Sequence, residues 1–86
     1  NMKDLSSSIT ENFAIDVASL REQIFKDATA NLVTPVDRLN QNERKEIMVK
    51  LHEQGLFQLK GSIPFVAKRF SCSQATIYRY LGEINS

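Results

Sequence analysis

The stretch Ser62-Ile63-Pro64-Phe65-Val66-Ala67-Lys68-Arg69-Phe70-Ser71-Cys72-Ser73-Gln74-Ala75-Thr76-Ile77-Tyr78-Arg79-Tyr80-Leu81 decides how this chain is read. It divides into two helical patterns around a short polar turn. Ser62 is expected to cap the first helix, whose opening turn tolerates Pro64 because the first backbone N–H groups of a helix have no internal partner to lose. Val66, Ala67 and Phe70 then share one face. Ser71, Cys72 and Ser73 interrupt the pattern, and Ser73 is placed to cap a second helix over about 73–84 by accepting from amides one turn on. Ile77, Leu81 and Ile84 form the buried stripe of that helix. Ala67 falls where the two helices cross, and Phe70, Cys72 and Ile77 fill the small core beneath the turn, the spacing expected of a helix-turn-helix.

Gln74, Ala75, Tyr78 and Arg79 point away from the stripe, which puts hydrogen-bonding side chains on the face a DNA major groove would meet. Gln74 suits adenine, Arg79 suits guanine, and Ala75 suits a thymine methyl. The hydroxyl of Tyr78 would meet a phosphate, or its ring would cover the neighbouring helix; the sequence leaves both open. Lys60, Ser62, Ser73 and Thr76 are the expected contacts to the DNA backbone, helped by amides exposed at the helix start beside Gly61. Lys68 and Arg69 read as a solvated flank that strengthens the basic field.

Upstream, Asn40-Gln41-Asn42-Glu43 is a capping box: Asn40 accepts from the Glu43 amide while Glu43 reaches back. The helix it starts runs to Gln54, with Ile47, Met48 and Leu51 inward, and stops at Gly55, where a left-handed residue is least strained as glycine. Leu56-Phe57-Gln58-Leu59 is too short for a strand and is read as a turn or strand-like segment that sends Phe57 and Leu59 into the core. Further upstream, Phe13, Val17, Leu20, Ile24, Ala28 and Leu32 recur at spacings of three or four, so a long helix is expected from about Asn12 to Val33, ended by Thr34-Pro35. This stripe either packs on the domain's own core or pairs two subunits. We read it as a homodimer interface, because the three helices that follow form a complete unit without it. Residues 1–11, polar and serine-rich, read as a flexible terminus or cloning remnant.

The net charge of +1 over 86 residues is too small to argue for nucleic acid, but its distribution is uneven. Residues 1–37 hold three Lys/Arg and six Asp/Glu, a balance of −3; residues 38–86 hold eight and four, a balance of +4. The basic half is the helix-turn-helix half, as phosphate contact with counterion release requires. Cys72 is a single cysteine in the helix crossing and reads as a small buried hydrophobe, not a redox switch. His52 is the only histidine, so no metal site is expected. No activated nucleophile pair and no phosphate loop points to an enzyme or a cofactor. No apolar run suits a membrane span and no leader is visible, so a cytoplasmic protein is expected.

The run Leu51-His52-Glu53-Gln54-Gly55-Leu56-Phe57-Gln58-Leu59-Lys60-Gly61 continuing to Phe70, followed by Ser73, Thr76-Ile77-Tyr78 and Tyr80-Leu81, resembles the C-terminal domain of YheO-like transcriptional regulators. The resemblance implies a chain in which 12–39 is a connecting segment, the stretch read above as a dimerisation helix and linker, and 40–86 is the DNA-binding domain. It also implies that a PAS-like sensor domain of a longer protein is missing here. Ser71 and Cys72 stand where that family more usually has a glycine and a branched aliphatic residue. The expected architecture is therefore all-α: a three-helix helix-turn-helix DNA-binding domain preceded by a long N-terminal dimerisation helix. The expected function is sequence-specific binding of double-stranded DNA by a bacterial-type transcriptional regulator. Two alternatives are a protein-interaction module on a helix-turn-helix scaffold and the accessory DNA-binding domain of a resolvase-type recombinase.

Overall fold

The computed structural model describes residues 17–85, and every regular element among them is helical. The described residues open within a helix, α1, which continues to 28. Helix α2 is Gln41–Glu53, α3 is Ser62–Phe70 and α4 is Gln74–Asn85, with 3-10 turns at Val36–Arg38 and Leu56–Gln58.

The capping box forms as the residues require. Asn40 Oδ1 accepts from the Glu43 amide at 2.8 Å, and Glu43 Oε1 accepts from the Asn40 amide at 3.0 Å. Two of the orphan donors at the start of α2 are thereby satisfied. Ile47, Met48 and Leu51 face inward, and Gly55 follows the helix in the left-handed conformation at φ +82°. Leu56–Gln58 then closes into a 3-10 turn, the turn alternative of the two readings. Its most buried residue is Leu56, while Phe57 and Leu59 are only half-buried against the core.

The start of α3 differs from expectation. Gly61, not Ser62, is the cap residue; it takes a left-handed backbone at φ +77° and makes no side-chain cap. Ser62 is already helical, with its amide donating to the Leu59 carbonyl at 3.3 Å. The left-handed turn at Gly61 rotates Ser62 inward, where a capping serine could not sit.

The end of α3 explains the helix-turn-helix turn. The Cys72 amide donates to the Ala67 carbonyl at 2.9 Å and the Ser71 amide to the Lys68 carbonyl at 3.2 Å, the paired closure that satisfies the last carbonyls of a helix. Arg44 of α2 adds a third donor, with Nη2 3.3 Å from the Phe70 carbonyl. Closure of this kind needs a left-handed residue, and Ser71 supplies it at φ 57°. Serine thus holds a conformation that glycine adopts with less strain. We expect Ser71→Gly to stabilise the domain by about 0.5–1 kcal/mol, because the left-handed region costs an L residue roughly 1–2 kcal/mol and glycine's extra freedom when unfolded offsets part of the gain. A higher urea midpoint with an unchanged slope would show it.

One hydrophobic core joins all four helices: Ile24, Phe25 and Ala28 from α1, Leu39 before α2, then Ile47, Met48, Leu51, Leu56, Val66, Ala67, Phe70, Ile77 and Tyr80. The Phe25 ring meets Phe65 edge-on at 5.5 Å between centroids and Phe70 at 6.1 Å. Three corrections follow for the N-terminal helix. It ends at 28 and not near Val33, because the Thr29 hydroxyl donates back to the Phe25 carbonyl at 2.8 Å and the chain turns, with the Leu32 amide on the Thr29 carbonyl at 3.1 Å. Ile24 and Ala28, read as dimer contacts, are buried in this chain's own core, because the neighbouring Phe25 draws that face onto α3. Leu32 packs partly on the same core, Val17 is half-buried, Leu20 is exposed, and Phe13 lies outside the described residues.

Candidate nucleic-acid interface

The second helix of the motif starts from its own cap. Ser73 Oγ accepts from the Thr76 amide at 3.2 Å and lies 3.0 Å from the Thr76 hydroxyl. From this start, Ile77 and Tyr80 turn fully inward and Leu81 and Ile84 partly so, which fixes the rotation of α4 against α3. Gln74, Ala75, Tyr78 and Arg79 are then all exposed, Tyr78 by 59%. At about 100° per residue these four span an arc of roughly 140° on the side away from Ile77. The face is polar, contiguous and free of the core.

The Arg79 guanidinium carbon lies 5.6 Å from the centroid of Tyr80. Farther along α4, Glu83 is tied to Lys45 of α2 at 3.1 Å, with both side chains well exposed, so the pair orients the helices more than it stabilises them.

The residues expected on the DNA backbone divide. Lys60 has an exposed side chain at the turn leading into α3. Ser73 is exposed and Thr76 half-buried, and each hydroxyl is already engaged with the other. Ser62 is 3% exposed, so its hydroxyl is withdrawn from the surface and cannot serve as the phosphate contact read from the sequence. Lys68 and Arg69 are exposed on the flank facing α1, where the Arg69 guanidinium pairs with Glu22.

Two residues important to this geometry escaped the sequence reading. Tyr80, 1% exposed, is one of the largest side chains of the core; its spacing of three from Ile77 and four from Ile84 was the available signal. Arg21 of α1 donates to the Lys60 carbonyl at 2.7 Å. A lone cation between Val17, Leu20, Ile24 and Phe25 was the only hint.

Cys72 is half-buried beneath the turn. Burial pushes its thiol above the usual value, with the Arg44 guanidinium pulling the other way. A thiol held protonated is a poor nucleophile, in keeping with a packing role. Among the described residues no group of His, Cys, Asp and Glu could hold a metal ion, and no helix is long and apolar enough to cross a membrane.

A capped second helix packed on the first, with Ala67 buried between the motif's core residues and the outer face polar, defines a helix-turn-helix domain. A family model described as an HTH domain matches residues 7–82. The chain belongs to this family and is a YheO-like member of it. It is 30% identical over 83 residues to the uncharacterised protein YheO of Escherichia coli, covering 96% of this chain and 34% of that protein. The YheO of Shigella flexneri matches with the same identity and coverage. An uncharacterised protein of Haemophilus influenzae is 30% identical over 73 residues, covering 85% of this chain and 33% of that protein. The chain thus spans about a third of the length of the curated relatives it matches. No solved structure matches it.

Proposed function

We propose that this chain is the sequence-specific DNA-binding domain of a bacterial transcriptional regulator and that α4 enters the major groove. The observation that carries the reading is the outer face of α4: Gln74, Ala75, Tyr78 and Arg79 exposed together beside a helix-turn-helix turn closed at both ends. Gln74 reads adenine and Arg79 reads guanine through paired hydrogen bonds, Ala75 meets a thymine methyl, and Tyr78 lies at the edge of the groove. Lys60 anchors the phosphate backbone, and Ser73 and Thr76 lie close to it at the start of α4. Membership of a helix-turn-helix family supports this use of the scaffold over catalysis.

A homodimer on paired half-sites belongs to the same proposal, with its contact outside the core residues Ile24 and Ala28, at exposed Leu20 and half-buried Val17. The remaining length of the relatives leaves room for a sensor domain of the PAS-like kind, and the regulator works in the cytoplasm, beside the chromosome.

Selection of binding sites from random duplex DNA tests the reading. Enrichment of one motif, bound more tightly than random duplex, is the expected result, and a palindromic motif would report the paired arrangement. Recovery of no motif, with no salt-dependent binding, would leave a protein-interaction module as the better account. Within the same assay, Lys60→Ala should weaken selected and random duplexes alike and reduce the slope of log affinity against log salt by about one, the signature of one lost phosphate contact.

A further inference from the structure

Arg21 occupies an unusual position for a cation. It comes from α1, yet its Nη1 donates to the Lys60 carbonyl, 39 residues away, at 2.7 Å. Its guanidinium carbon lies 4.9 Å from the centroid of Phe65, in the first turn of α3. Its Nε is buried and has no hydrogen-bond partner among the described residues. A desolvated donor of this kind is tolerated where the planar guanidinium gains in stacking and in one strong, charge-assisted bond.

The turn it grips is built to admit it. Gly61 follows Lys60 in the left-handed conformation, and a Cβ added there would stand 2.9 Å from Arg21 Nη1. The absent side chain is the space the guanidinium fills. Beside it, Glu22 pairs with Arg69, whose guanidinium carbon is also 4.9 Å from the Phe65 centroid, so a second contact at that ring holds α1 to α3. The carbonyl that Arg21 holds belongs to Lys60, the residue assigned above to the DNA backbone. Its hold therefore fixes the direction from which the Lys60 side chain leaves the turn.

We propose that Arg21 is a positioning residue for the Lys60 phosphate contact, so that full DNA affinity requires α1 docked on the helix-turn-helix. The inference rests on the reading of this domain as a DNA-binding unit. A lysine on a freely moving turn loses conformational freedom when it meets a phosphate; one whose backbone is already held loses less. Arg21 itself needs no contact with DNA.

The test is a double-mutant cycle on the full chain, read by fluorescence anisotropy with a selected and a random duplex at two salt concentrations. Arg21→Met keeps an unbranched aliphatic stem but removes the guanidinium, and with it both the donor to the Lys60 carbonyl and the stack on Phe65. It is expected to weaken binding to both duplexes about three- to tenfold, close to the effect of Lys60→Ala, and to reduce the salt slope by about one. The double variant should bind no more weakly than Lys60→Ala alone, and Arg21→Lys, which keeps a donor but loses the planar stack on Phe65, should bind more weakly than the unmodified chain and more tightly than Arg21→Met. Circular dichroism melts identify any variant whose loss is a loss of folding, and Arg21→Lys carries the test in that case.

Wild-type affinity in Arg21→Met would overturn the inference, as would losses that multiply in the double variant or an Arg21→Lys as weak as Arg21→Met. Each of those results leaves the DNA-binding reading standing. A Lys60→Ala variant with unchanged affinity and salt slope would instead remove the phosphate contact itself, and the inference with it.

Discussion

Phe70→Ala should destabilise the domain by about 3–5 kcal/mol, the range for emptying a fully buried aromatic site. Phe70 ends α3 directly before the turn, is wholly buried, and packs on Phe25 of α1 at 6.1 Å between centroids. Its loss opens a cavity where the N-terminal helix and the helix-turn-helix meet. In a domain of this size 1 kcal/mol moves the melting midpoint by about 4–8 °C, so a fall of more than about 12 °C is expected. Chemical denaturation with unchanged slope would give the free energy directly. Val33→Ser is the natural contrast, because Val33 is 99% exposed and an exposed site of this kind changes stability by no more than about 0.5 kcal/mol. Similar stabilities for the two variants would mean that the core is not centred on Phe70.

Arg79→Ala should lower affinity for the selected duplex by about 1–3 kcal/mol and relax preference at one base position while leaving affinity for random duplex far less changed. The distinction from Lys60→Ala lies in which duplexes are affected. Arg79 lies on the outer face of α4, beside the buried Tyr80 ring, and Lys60 lies at the turn before α3. A guanidinium paired with a base edge carries sequence information; an ammonium near a phosphate carries charge alone. Equal losses on selected and random duplex for Arg79→Ala would make it a phosphate contact and shift base reading to Gln74.

What could be read from the sequence was what short-range rules govern. Asn40 and Glu43 make their reciprocal cap because both partners lie within one helical turn. Gly55 takes its left-handed place and Ser73 caps α4 for the same reason. The outward face of α4 followed from Ile77 alone, since fixing one buried position fixes the rotation of a helix. The capping rule points to Ser62 as the start of α3, but the left-handed turn at Gly61 takes that place and turns Ser62 inward.

Long-range contacts were not legible. The stripe through Ile24 and Ala28 has the same periodicity whether it covers a second subunit or the chain's own α3. The burial of Ile24 and Ala28 within one chain and the Phe25 ring against Phe65 and Phe70 distinguish the two. Arg21 is the clearest case, because nothing near it in sequence shows that its partner is a carbonyl 39 residues away. The same holds for Arg44, whose guanidinium reaches the carbonyl of Phe70 from a different helix. Both arginines close backbone groups at the ends of α3, so the position of that helix depends on side chains from α1 and α2.

The most direct measurement is an amide-resolved NMR titration of the isotopically labelled chain with a selected duplex. The largest shifts should fall on Gly61 and on Ser73 through Arg79, with the solvent face of α2 around His52 little changed. Shifts concentrated on α1 around Leu20, with Gln74 to Arg79 unmoved, would contradict a groove-reading α4.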